Sequence, residues 1–149
     1  MVELETWISM GSLGMAIMFV ILMISFYLFL LGPDKKGPTV FVDPEGVLIQ
    51  IISISGAPSL ILAGTSVGFQ KTYHTRSAAL ILVVVGIILL AGMIAVAMIA
   101  PKIDASFLAP GIDSIPYFFI IGGTAIVCIG AYLIKKSNKH GQNLEDEVD

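Results

Sequence analysis

The sequence predicts an all-α integral membrane protein of four transmembrane helices, and three observations carry that prediction. Stretches 7–31, 77–100 and 116–134 contain no Asp, Glu, Lys, Arg or His, and neither does 47–69, which holds more polar and small residues. Hydrophobic residues make up 56% of the 149 and charged residues only 13%, against about a quarter charged in soluble domains, and mean hydropathy is +0.95. The polar pieces that remain, 32–46, 101–115 and 135–149, are each too short to bury a core. The whole chain, 1–149, therefore reads as one membrane domain.

The first stretch, 7–31, crosses a hydrocarbon layer of about 30 Å at about 1.5 Å per residue. Trp7 stands at one edge and Phe26, Tyr27 and Phe29 near the other, the depth that amphipathic rings favour. Glu3 and Glu5 are placed ahead of the helix, outside the bilayer. Acids precede the apolar run where a secretory signal carries Lys or Arg, and no small-residue cleavage pattern follows, so the helix is expected to be retained. Pro33, Pro38 and Pro44 then forbid continuous helix, with a short extended piece expected at 39–42.

Gln50, Ser53, Ser55, Ser59, Thr65 and Ser66 punctuate the second stretch, 47–69, and Gly56-Ala57-Pro58 falls in its middle. Proline removes one backbone donor and bends a helix, so a kink is expected here. The alternative is three spans plus a re-entrant hairpin broken at 55–59, an arrangement that exposes backbone to a solute. Four spans put Lys71, Arg76, Lys135, Lys136 and Lys139 on the side of both termini, against Lys35, Lys36 and Lys102 on the other, which favours cytoplasmic termini. Re-entry would leave Lys102 alone on its side, a sharper asymmetry. Length favours crossing, and so does the resemblance of this stretch to the last one.

Pro101 closes the third helix, 77–100, and Pro116 suits the first turn of the fourth, 116–134. Beyond it, 135–149 is expected as a polar, disordered tail. An apolar helix, a proline-containing loop and a small-residue helix ending at basic residues occur in that order twice, which points to two hairpins.

Gly64 and Gly68 form a GxxxG pair, and Ser55, Ser59 and Ala63 a ridge at spacing four. Small residues at this spacing let helix backbones approach, so these five are the expected helix-packing or partner interface. Gly86, Gly92, Ala91, Ala95, Gly122, Gly123 and Gly130 offer matching surfaces.

Chemistry is sparse. No nucleophile has a base at workable spacing and no loop is built to cradle phosphate, so no enzyme, catalytic residue or cofactor is expected. Met10, Met15, Met18 and Met23 are soft enough for Cu(I), but no His or Cys accompanies them, and they read as packing. His74 and His140 lie among basic residues, Cys128 stands alone, and no metal site is expected. Asp104 and Asp113 share a loop with Lys102 and read as solvated turn residues. Without an ionisable group in the spans, a proton-coupled carrier is disfavoured. The net charge of −3 gathers at Glu145, Asp146, Glu147 and Asp149, which gives nucleic acid no footing.

The leading expectation is a non-catalytic accessory or assembly subunit of a larger complex in the plasma membrane, surrounded by lipid and other integral membrane subunits. The alternative is a small oligomeric channel or passive transporter whose path is lined by Gln50, Ser53, Ser55, Pro58 and Ser59. The acidic tail, Leu144 to Asp149, is a further site for a soluble partner.

Overall fold

The computed structural model describes residues 4–73, 76–108 and 110–146, with side chains over these ranges apart from 71–73 and 140–146. Four helices are long and apolar enough to cross a membrane: Leu4–Leu31, Pro44–Gln70, Arg76–Lys102 and Ile112–Lys139. In chain order the elements are α1 (Leu4–Leu31), α2 (Pro44–Ile51), a π-helical turn (Ile52–Gly56), α3 (Ala57–Tyr73), α4 (Arg76–Ile99) and α5 (Ile115–Asp146), with short 3-10 turns beside the loops.

Helix α1 begins at Leu4, before the expected start, and Glu5 in its first turn is only 4% exposed. The expectation of Glu5 ahead of the helix is thus corrected. An acid in a first turn complements the partial positive charge of the free N–H groups, which explains why helix extends this far. At the other end Gly32 turns the chain at φ 66, its N–H donating to Leu28 O at 3.2 Å, and the Gly37 N–H donates to Leu31 O. Residues 39–42 form bends and irregular backbone, and no strand occurs among the described residues. An isolated extended piece has no neighbour to pair with.

The second span passes its proline without leaving helical backbone: Ile51, Ile52 and Ala57 all have right-handed helical angles. The Ala57 N–H donates to Ile52 O, five residues back. Pro58 has no N–H, and its ring crowds the carbonyl four residues earlier, Ile54; a widened turn just ahead of it gives that carbonyl room.

Helix α5 continues past Ile134 to Asp146, so the stretch expected as a disordered tail from 135 is helical through 146. Lys, Gln, Leu and Glu are good helix formers, and extending a helix already nucleated in the bundle adds one hydrogen bond per residue fixed.

Helix α4 is the hub, packing extensively on α5 and α1, while α3 packs on α1 and only slightly on its chain neighbour α4. Ala16, Phe19, Met23, Tyr27 and Leu30 of α1 meet Leu82, Val85, Leu89, Met93 and Val96 of α4 in one buried cluster, each set at helical spacing. Several glycines noted in the sequence sit at these contacts. A Cβ on Gly86 would lie 2.5 Å from Val127 Cγ2 and 2.9 Å from Gly123 O, and one on Gly130 2.7 Å from Val83 Cγ2. A Cβ on Gly92 would meet Val20 Cγ1 of α1 at 2.4 Å. In the centre, the Phe19 ring lies 4.4 Å from the Phe119 ring of α5, tilted at 43° to it, and fills the space beside Gly56, in the π turn.

At the end opposite Glu5, the two long loops are clasped together. The Tyr27 hydroxyl donates to Ile112 O at 2.8 Å, and Gly37, at φ 87, lies under Phe107 with its missing Cβ 2.2 Å from Cε2 of that ring. Gly37→Ala adds left-handed backbone strain to a ring clash, and we expect a loss of about 2 kcal/mol. Thermal unfolding in detergent measures it; an unchanged midpoint would mean that the loops are not joined there.

Candidate functional site

Polar side chains converge where α1 meets the second span. Glu5, Ser9 and Ser12 share one face of α1 at spacings of four and three, and Ser59, Ser66 and Gln70 share one face of α3; all six are buried. The Ser12 hydroxyl donates to Ser59 O at 2.9 Å and the Ser59 hydroxyl to Ser12 O at 3.3 Å, a reciprocal pair that draws the backbones together. One turn further along, the Ser9 and Ser66 hydroxyls bond each other, and Gln70 Nε2 donates to Ser66 Oγ at 3.3 Å. The helices run antiparallel, so one more turn brings Glu5 level with Gln70 at the mouth of the seam. There Gln70 Oε1 is a buried acceptor with no hydrogen-bond partner.

Such bonds between membrane helices average about 0.6 kcal/mol each, because helices apart in lipid also find partners. The seam therefore sets the register of α1 against α3 more than it holds them together.

The five residues expected as one interface divide between two sides of the helix. Ser55, Ser59 and Ala63 are buried, with the Ser55 hydroxyl donating to Ile51 O of its own helix at 2.8 Å. Gly64 and Gly68 are exposed on the far side, and a Cβ on either would meet nothing within 4 Å. At 100° per residue the two groups fall on opposite faces. The residues of the alternative solute path divide as well: Gln50 and Ser53 are exposed, Pro58 is half-buried, and Ser55 and Ser59 are fully buried. Thr65 and Thr124 also face outward, but each hydroxyl donates to the carbonyl four residues back, Ile61 and Ile120, at 2.8 Å. These threonines carry no unmet polarity into lipid.

Other candidates stay apart. Met23 is buried while Met10 and Met18 are exposed, so the methionines do not converge on one point. Asp104 accepts the Ser106 N–H at 2.9 Å and its hydroxyl at 2.8 Å, which holds its carboxyl below the usual carboxylate range within a local turn. Among the described residues no three His, Cys, Asp or Glu side chains are grouped to hold a metal. His74 lies outside the described residues, as does the side chain of His140.

Sequence reasoning singled out Ser59 and Ser66 but missed their partners Ser12 and Ser9, and with them Glu5 and Gln70. The spacing of Glu5, Ser9 and Ser12 was the available signal, since it aligns three polar groups on one face of an otherwise apolar helix. Comparison with family models, with curated proteins and with solved structures finds no match.

Proposed function

We propose that this chain is a non-catalytic accessory or assembly subunit of a larger integral membrane complex, docking through the outward face of its second span. The observation that carries the reading is the bare Gly64 and Gly68 surface, where backbone is accessible and no side chain of the chain itself covers it. Gln50 and Ser53 are exposed on the same span. At about 1.5 Å per residue, Gln50 lies about 10 Å from the span's middle, a depth at which an amide facing hydrocarbon is costly unless another helix offers it a partner. Ser55, Ser59 and Ala63 serve the internal contact with α1, which leaves the glycine pair for a neighbour.

Extraction in mild detergent followed by native electrophoresis tests this. The chain should migrate in a species much larger than its 15.8 kDa, and Gly64→Leu should dissolve that species while leaving thermal unfolding of the isolated chain unchanged. Monomeric migration of the natural chain would sink the proposal.

The exposed amide of Gln50 and hydroxyl of Ser53 favour one second reading, an oligomeric pore in which outward faces of several second spans surround a polar path. Liposomes holding the purified chain would then pass a small solute. The π turn ahead of Pro58 supports a bend at this level, and helical backbone on both sides supports a crossing over re-entry. The distribution of Lys and Arg supports cytoplasmic termini in a plasma membrane, with the acidic tail available to a soluble partner.

A further inference from the structure

The outward face of α5 does not end where its apolar run ends. Phe118, Ile121, Ile129 and Tyr132 are exposed along one side of this helix, turned away from α4. At 100° per residue, Lys135, Lys136 and Lys139 continue the same stripe, and all three are exposed. Because α5 stays helical through this segment, the lysines project on the lipid side and not over the bundle. Together with Tyr132 they line an open cleft of about 290 Å³.

Depth agrees with direction. Ile134 is the last residue of the charge-free run, so Lys135 to Lys139 rise about 6 Å beyond the hydrocarbon, close to the thickness of one headgroup layer. Tyr132 sits where a phenol keeps its ring in the acyl region and its hydroxyl among headgroups. Packing of Gly130 against Ala79 and Val83 sets the antiparallel register of α4 and α5, and this brings Arg76, also exposed, to the level of Lys135 and Lys136.

We propose that Tyr132, Lys135, Lys136 and Lys139 form a seat for the phosphate headgroup of an anionic phospholipid. Three ammonium groups supply charge to the phosphodiester, the tyrosine hydroxyl supplies a hydrogen bond, and the apolar stripe below receives the acyl chains. A soluble acidic protein would meet the lysines alone and leave the continuity with the stripe unused. The seat does not depend on whether the second span docks to another subunit.

The test uses the full chain in phosphatidylcholine vesicles with trace spin-labelled phosphatidylglycerol or spin-labelled phosphatidylcholine. Electron paramagnetic resonance reads the fraction of each label held motionally restricted at the protein. Wild type should hold phosphatidylglycerol at least about fivefold in preference to phosphatidylcholine, weakening as salt rises. Lys135→Gln, Lys136→Gln and Lys139→Gln together should bring the ratio close to one. The matched variant Lys35→Gln, Lys36→Gln and Lys102→Gln, which removes the same charge at the other end, should keep the preference. The proposal is overturned if wild type shows no preference, if both triple variants lose it equally, or if inorganic phosphate at constant ionic strength displaces the restricted lipid. Circular dichroism confirms that each variant remains helical, since all the substituted side chains are solvent-exposed.

Discussion

Gly86→Leu is expected to drive α4 and α5 apart and to cost about 3 kcal/mol or more, the upper range for overpacking a tight interior. The place that a Cβ would take is already occupied by Val127 Cγ2, Val127 N and Gly123 O. Two of those three atoms are backbone, so no rotamer change relieves the clash and a whole helix must move. Titration of the detergent-solubilised chain with sodium dodecyl sulfate, followed by circular dichroism and Trp7 fluorescence, measures the loss. The contrast with Gly64→Leu is the informative part. Both substitutions add the same side chain to a glycine within a membrane span, yet one meets packed backbone and the other meets nothing. Equal losses of chain stability in the two variants would contradict this division of the glycines into inner and outer sets.

Phe19→Ala should be the second large lesion, at about 3 kcal/mol, the low end for truncating a buried aromatic. The reason for the low end is physical. In lipid, apolar side chains gain little by leaving their surroundings for the protein interior, so the cost falls mainly on lost contact and on the void left behind. Phe19 is fully buried, touches the Phe119 ring and fills the space beside Gly56. Its removal opens a gap beside the π turn at Ile52–Gly56, where the helix departs from regular α geometry. The same denaturant titration detects the loss, and a variant as stable as wild type would show that the second span does not lean on this ring.

The spans were legible because a charge inside hydrocarbon is costly, and runs without any are therefore conspicuous. Which side of each helix faces inward was much less so. Lipid and protein interior are both apolar, and Phe19 and Phe118 look alike in a sequence although one is buried and the other exposed. Polar periodicity was the better guide: Ser55, Ser59 and Ala63 mark the inner ridge, and helical geometry sets the separate Gly64 and Gly68 pair on the far side. Glu5 was missed because its charge argued for water, while its burial depends on how the helices pack. The helical extension after Ile134 was missed for a related reason. Its polar composition reads as a tail, and its helicity is inherited from the packed segment before it.

The sparse contact between α3 and α4 bears on how the molecule is built. Consecutive in the chain, these two helices share little surface, whereas α1 with α3 and α4 with α5 are intimate pairs. Membrane chains are inserted segment by segment and pack afterwards. The first pair takes its register from its serines, and the second packs closely through its glycines. The finished molecule is thus two intimate helix pairs joined along α1 and α4, with the seam of hydroxyls fixing the alignment inside the first pair.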